Sequence, residues 1–139
     1  MSLTDVTLCG KTLCSPVIAA SGTFGFGGEY AGIVDMKKLG GISGKGLTLE
    51  GKYGNEGARL WQTPAALINS IGMQNPGVRH FIEYELPGMK KLGPAVLANL
   101  GGSTIETYEE GARLLDETNV DFIELNISCP SVKAGGIAY

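Results

Sequence analysis

Four short apolar runs, each bounded by glycine, proline or small polar residues, dominate the hydropathy pattern of the chain. They predict strands at residues 16–20, 42–47, 94–100 and 122–127. Continuous apolar character is typical of strands that are buried on both faces, as in a parallel sheet. Because segments with helical periodicity separate these strands, the pattern predicts an α/β fold with helices packed on the sheet.

The separating segments predict three helices. The first covers residues 29–39 and should end at a glycine pair. The second begins near residue 76 and carries an apolar stripe, with a break expected at residues 87–88, a Pro-Gly pair. The third should be capped by the Ser-Thr pair at 103–104, with Glu106 as the capping-box partner.

Two segments fall outside the alternation of strands and helices. Residues 6–13 predict a small N-terminal hairpin that turns at Gly10. Residues 48–63 have no clean period and predict a long excursion containing a hairpin; such excursions in compact domains are usually functional. The loop that follows is rich in amides, at Asn69, Gln74 and Asn75. It is either an ordinary turn before a helix or a recognition loop for a polar planar ligand.

Composition narrows the function classes. The chain has 139 residues, which suits one domain, and its 43% hydrophobic content is sufficient for a buried core. A net charge of −3 argues against nucleic acid as the main partner. Three cysteines without a CxxC pair predict neither a disulfide framework nor a metal site and indicate a reducing, cytoplasmic compartment. We expect no signal peptide and no attachment to a membrane.

Small polar residues and glycine end the predicted strands: Ser21, Gly46, Asn99 and Asn126. The carboxyl ends of parallel strands meet at one rim, which is where barrel enzymes hold their ligands. The sequence therefore predicts a ligand site at this rim.

Lys45 stands inside the second predicted strand, between two glycines. A buried ammonium is costly unless its charge has a partner. Three alternatives follow: an inward lysine that meets a carboxylate, a strand edge with the ammonium in water, or a cation directed at an anionic ligand. The single histidine, His80, is interpreted as a surface or packing residue, since metal sites need several ligands at set spacing.

Cys129 follows the fourth strand and has the only ionisable side chain within residues 126–131. A thiol can act as a base or as a nucleophile, and its place beyond the carboxyl end of a parallel strand is where barrel enzymes carry out their chemistry. Cys129 is therefore the candidate catalytic residue.

Four segments, at residues 20–25, 44–48, 69–77 and 126–130, together resemble the class 1 dihydroorotate dehydrogenases in order and spacing. A cysteine at position 129 favours class 1, because the membrane-linked class 2 enzymes carry a serine there. Residues 23–30 are similar to subclass 1B, the NAD-linked type. The resemblance implies the N-terminal half of a (β/α)8 TIM barrel, with about four parallel strands and an N-terminal hairpin, so that residues 1–139 form a single, incomplete FMN-binding domain.

The family oxidises dihydroorotate to orotate in pyrimidine biosynthesis, and the resemblance assigns roles residue by residue. Cys129 matches the base that removes the C5 proton as hydride leaves C6 for the flavin. Positions that bind the flavin mononucleotide are matched by Ser21, Lys45, Gly46, Asn99 and Asn126. Substrate positions are matched by Lys45, Asn69, Ser70, Ile71, Gly72, Met73, Asn126 and Ser131.

The resemblance also implies partners. We expect a homodimer and, for subclass 1B, an electron-transfer subunit that carries FAD and a 2Fe–2S cluster and passes electrons to NAD. No metal site is expected on this chain. Alternatives within the family are a fumarate-linked enzyme and a relative of dihydropyrimidine dehydrogenase. A non-catalytic half-barrel that retains the motifs by ancestry is the alternative from another class.

Two departures from the family pattern bear on activity. Ser131 stands where the family usually has an asparagine that contacts substrate, so weaker binding, a shifted substrate preference or a poorly active paralogue is expected. A complete barrel takes roughly 250 residues. We expect the 139-residue chain to be a fragment rather than a half-barrel that pairs with another chain, and to be inactive without the missing half.

Overall fold

A four-stranded parallel sheet is the central element of the structure, a computed structural model that describes residues 3–127. Its strands are β3 (Ile18–Ala19), β4 (Gly41–Ser43), β9 (Ala95–Gly101) and β10 (Phe122–Asn126). They lie side by side in chain order, and all neighbours are parallel. The predicted α/β fold with four parallel strands is confirmed, although β3 and β4 are shorter than the predicted strands.

Strand β9 lies at the centre of the core, and all seven of its residues are buried. Helices α1 (Val78–His80), α2 (Leu86–Leu92) and α3 (Ile105–Asp116) cover the sheet. The fully buried apolar side chains come from both layers: Ile42, Leu47, Val78, Phe81, Met89, Val96, Leu100 and Leu115. Burying such side chains stabilises the fold by about 1.5–3 kcal/mol each.

The N-terminal hairpin forms as predicted. Strands β1 (Val6–Leu8) and β2 (Lys11–Leu13) pair antiparallel. Cys9 and Gly10, at the turn, have φ of 46° and 80°. A left-handed pair at the two central positions matches the twist of a tight hairpin.

The helix predicted for residues 29–39 is wrong. Two short 3₁₀-helices, Gly28–Tyr30 and Met36–Lys38, stand there instead. Ile33, between them, is 81% exposed, and the apolar residues of the segment that do pack on the core, Tyr30, Val34, Met36 and Leu39, would not share one face of a helix. Because short helices are marginal unless one apolar face is packed, the segment forms single turns.

The predicted break at Pro87–Gly88 is also wrong, because the helical segment continues through both residues to Leu92. A π-helical turn, Phe81–Glu85, joins α1 to α2. Pro87 therefore falls in the first turn of α2, where its missing N–H costs little. The π turn, with its wider spacing of backbone hydrogen bonds, lies just before the proline that cannot donate one.

Helix α3 begins at a capping box, but Glu106 is not its partner. Thr104 is the N-cap, and its hydroxyl accepts from the backbone N–H of Thr107 at 3.4 Å. The Thr107 hydroxyl accepts in return from the backbone N–H of Thr104 at 3.2 Å. Glu106 would be the third helical residue only if Ser103 were the cap. Because Thr104 is the cap, the third helical residue is Thr107.

Replacing Thr104 with alanine should lower the free energy of unfolding by about 1 kcal/mol, because the N-cap hydroxyl satisfies a backbone donor that has no helical partner. Urea titration of the full chain measures the change. Ser103→Ala, at the neighbouring exposed position, is the matched control and should leave the midpoint unchanged. Equal losses in the two variants would contradict the assignment of the cap.

The excursion after β4 contains two strand pairs. Strand β5 (Glu50–Lys52) pairs antiparallel with β8 (Asn75–Gly77). Between them, β6 (Leu60–Gln62) and β7 (Leu67–Asn69) form a hairpin, so the predicted hairpin is present, but its second strand lies beyond residue 63. The side chains of both hairpin strands are exposed.

Within residues 3–127, no helix is long and apolar enough to cross a membrane. The same residues hold no cluster of three or more histidine, cysteine, aspartate or glutamate side chains that could bind a metal ion.

Candidate ligand site at the carboxyl ends of the sheet

A cavity of about 390 Å³ opens at the carboxyl ends of the parallel strands. All five residues expected to bind flavin line it: Ser21, Lys45, Gly46, Asn99 and Asn126. Three of the expected substrate residues line it as well: Asn69, Ile71 and Met73. The strands thus bring together residues that are up to 105 positions apart in the chain (126 minus 21).

The remaining predicted site residues are not placed in this cavity wall. Ser70 is turned to a neighbouring segment, where its hydroxyl accepts a hydrogen bond from Asn55 Nδ2 at 3.0 Å. Gly72 is buried against the same asparagine. Cys129 and Ser131 lie outside the described residues, so their roles stay predictions.

Lys45 is half-buried and lies between the cavity and a second one of about 620 Å³, which it also lines. Its backbone N–H donates to the carbonyl of Gly25 at 3.0 Å, which fixes the chain at this point. Within residues 3–127 no carboxylate forms an ion pair with its ammonium. That part of the chain therefore gives no support to a lysine held by an internal carboxylate.

Two amides and one carboxylate form a chain of hydrogen bonds in the cavity wall. Asn99, only 3% exposed, donates from Nδ2 to the Glu124 carboxylate. Asn126 Nδ2 donates to Asn99 Oδ1 at 3.2 Å. The adjacent strand register, with Asn99 opposite Glu124, makes this contact possible.

Glu124 also lines the cavity, and the sequence did not predict it as a candidate site residue. It lies two positions before Asn126 on β10, and alternate residues of a strand face the same side. The sequence did contain a signal for Glu124. It is a charged residue inside an otherwise apolar strand, two positions before a predicted ligand residue.

Gly46 allows the strand end to pass close to these amides. A Cβ at that position would lie 3.0 Å from Asn99 Oδ1 and 3.6 Å from Asn126 Nδ2. The first distance is tighter than ordinary contact, so a larger residue would displace the amide. Glycine at this position therefore avoids displacing the Asn99 amide.

Asn75 anchors the loop that carries residues 69–73. Its Oδ1 accepts from the backbone N–H groups of Thr48 and Gly77 at 3.0 and 2.9 Å. Its Nδ2 donates to the carbonyl of Met73 at 2.7 Å. Of the two interpretations of this amide-rich loop, Asn75 therefore fits the structural one, whereas Asn69 reaches the cavity.

The second cavity is lined by Lys52 and His80 among others. His80 is exposed, and its ring centroid lies 4.6 Å from that of Tyr84. The prediction of a surface or packing histidine agrees with this position.

A parallel α/β sheet with polar side chains gathered at its carboxyl rim defines a protein of the ligand-binding α/β class, in which that rim holds the ligand. Residues 3–139 match the family model described as dihydroorotate dehydrogenase. The chain belongs to the dihydroorotate dehydrogenase family.

Several curated relatives carry the name dihydroorotate dehydrogenase B (NAD(+)), catalytic subunit. The protein of Petrotoga mobilis is 48% identical over 136 residues, which are 98% of this chain and 45% of the relative. That of Thermoanaerobacter pseudethanolicus is 48% identical over 135 residues, 97% of this chain and 45% of the relative. That of Shouchella clausii is 46% identical over 140 residues, 100% of this chain and 46% of the relative.

These names confirm the predicted resemblance to the subclass 1B catalytic subunit. The chain spans slightly less than half the length of the curated relatives it matches.

Proposed function

We propose that this chain forms part of a catalytic subunit that oxidises dihydroorotate to orotate with FMN as the electron acceptor, in pyrimidine biosynthesis. One observation carries the proposal. In a chain of this family, the five residues expected to bind flavin and five of the eight expected to bind substrate, two of them shared between the sets, surround a single cavity.

The residues of the cavity suit a flavin. Its ring edge carries carbonyl, N–H and nitrogen atoms, for which the Lys45 ammonium offers donors and the amides of Asn99 and Asn126 offer both donors and acceptors. A side chain at Gly46 would crowd the Asn99 amide, so glycine there leaves both amides in place for a ligand. Bound there, FMN would accept the hydride, while the protein supplies position and electrostatics.

The side chains have distinct parts in this proposal. Lys45 balances the negative charge of the substrate carboxylate or of the reduced cofactor. Asn69 and its loop bind the pyrimidine, since an amide offers both donors and an acceptor to a planar polar ring. Cys129 removes the C5 proton as a general base. Ser131 is shorter than the usual asparagine and weakens substrate binding.

The wider assembly is part of the same proposal. Residues 1–139 form one incomplete FMN-binding domain, the N-terminal half of a (β/α)8 barrel in the cytoplasm. The described sheet, with its strands in chain order, supports a segment of such a barrel. The relatives' name, catalytic subunit, supports a partner subunit. An electron-transfer role for that subunit, with FAD and a 2Fe–2S cluster, and a homodimer of the catalytic subunit are proposed with it.

A chimera tests the function. This chain replaces the matching 136 residues of the Petrotoga mobilis subunit, which supplies the rest of the protein. The purified chimera should be yellow, contain FMN and convert dihydroorotate to orotate with a dye as electron acceptor. The isolated 139-residue chain, given FMN, should show no turnover.

The unmodified Petrotoga mobilis subunit is the positive control, and circular dichroism verifies that the chimera is folded. A folded chimera that holds FMN but leaves dihydroorotate unchanged would favour the non-catalytic alternative. Reduction of fumarate, instead of NAD through the partner subunit, would favour the fumarate-linked enzyme.

A further inference from the structure

Glu124 has a place in the cavity wall that the proposed mechanism does not use. Its carboxylate accepts from Asn99 Nδ2, and Asn99 Oδ1 accepts from Asn126 Nδ2 at 3.2 Å. No lysine or arginine of residues 3–127 forms an ion pair with it. A half-buried carboxylate without a basic partner costs free energy of folding. Its contact with the amides therefore indicates a role in the site.

The chemistry of the three groups sets a direction along the chain of hydrogen bonds. An ionised carboxylate can only accept, so the end of the Asn99 amide that faces Glu124 must be the NH₂ group. The other end, facing Asn126, must then be the carbonyl oxygen. That oxygen requires the NH₂ group of Asn126, so Asn126 turns its Oδ1 in the other direction.

We propose that Glu124 is a positioning residue that determines which end of the Asn126 amide meets the ligand. Through Asn99 it holds Asn126 so that a carbonyl acceptor, rather than an NH₂ donor, is presented to a ring N–H of a pyrimidine. This inference rests on the proposed function and specifies how the site selects a ring with an N–H at that edge.

Without the carboxylate, both amides can turn over together. Asn99 would then direct its NH₂ group at Asn126, and Asn126 would direct its own NH₂ group at the ligand. A donor would face a donor, and the hydrogen bond to the ring would be lost. The backbone carbonyl of Asn126 accepts from the Tyr108 hydroxyl at 2.5 Å, so the strand itself stays in place while the side chain turns.

Two variants of the chimera, Glu124→Leu and Glu124→Gln, distinguish the orientation of the amides from the negative charge of Glu124 as the cause of tight binding. Leucine removes the acceptor at similar volume, so the dissociation constant of orotate and the KM for dihydroorotate should rise about tenfold, the loss of one hydrogen bond, with kcat within about twofold. Glutamine can turn its own carbonyl oxygen to Asn99 and should hold both values within about threefold of the parent. Perturbation of the flavin absorbance by added orotate measures binding independently of turnover.

A swapped pair provides a second measurement, which also serves if the leucine variant does not fold. Asn99→Asp alone places two carboxylates together and should weaken orotate binding at least about tenfold. Adding Glu124→Gln supplies a donor to the introduced carboxylate, which still accepts from Asn126, so most of the lost affinity should return.

Three results would overturn the proposal: orotate binding by Glu124→Leu within twofold of the parent, equal losses in the leucine and glutamine variants, or no recovery in the swapped pair. A parent chimera that binds flavin but does not oxidise dihydroorotate would instead refute the proposed function. The orotate titrations still decide the role of Glu124 in that case.

Discussion

Replacement of Cys129 by alanine in the chimera is expected to lower kcat for dihydroorotate oxidation by about 10²–10⁴-fold, the usual contribution of a positioned general base. A carbon-bound proton is a poor acid, and alanine offers no atom that can receive it. FMN content should be unchanged, because Cys129 is not among the residues assigned to flavin binding. Single-turnover reduction of the flavin by dihydroorotate measures the step directly.

Cys9→Ala is the matched control. Cys9 is an exposed thiol in the turn of the N-terminal hairpin, far along the chain from the strand ends, and its loss should leave the rate unchanged. An undiminished rate in Cys129→Ala near neutral pH would show that another group removes the proton.

Removal of the Asp121 side chain should have the largest effect on stability, about 3 kcal/mol for Asp121→Ala. The carboxylate is 6% exposed and accepts from Lys11, from Lys90 at 2.8 Å and from the backbone N–H of Val96 at 2.6 Å. It therefore ties the N-terminal hairpin and α2 to the amino end of β9 and β10. Urea unfolding of the chimera and of its variant measures the loss.

The pH dependence of this effect has a definite sign. Burial would raise the pKa of the Asp121 carboxyl, but hydrogen bonds from Lys11, Lys90 and Val96 outweigh it, and the net pKa lies below the ordinary value of 3.8. A lowered pKa stabilises the fold above the ordinary value, and this contribution is lost as pH falls through the folded pKa. The difference between parent and variant should be constant from pH 7 to about 5 and shrink below about 4.

Asp116→Ala is the control, since Asp116 is an exposed carboxylate at the end of α3. Its stability should stay within about 0.5 kcal/mol of the parent at every pH. Two results would contradict the role given to Asp121. One is an equal loss of unfolding free energy in the Asp116 and Asp121 variants, and the other is a difference between parent and Asp121→Ala that grows as the pH falls.

The parallel sheet was predictable because three of its four strands are largely apolar runs that end at glycine or a small polar residue, and only the second, around Lys45, is interrupted by polar residues. Burial enforces such a pattern, so β9 was found within one residue at each end. The gathering of polar residues around a cavity at the rim followed from the same strand ends, since parallel strands bring their carboxyl ends together.

The errors have local causes. Proline in the first turn of a helix and proline inside a helix look alike in a sequence, and only the π turn before Pro87 distinguishes them. Residues 29–39 have helical formers but no neighbour on which to bury Ile33. Glu124 was missed because its partner, Asn99, comes from another strand, and no local pattern reveals such a pairing.

Trp61 is the single tryptophan of the chain, and it stands 69% exposed on the hairpin of β6 and β7, with Ile68 directly opposite. The same hairpin leads directly into Asn69 at the cavity. In this chain, tryptophan emission therefore reports on that hairpin alone. A blue shift upon addition of a protein or a small molecule would show that the hairpin has been covered, without any label.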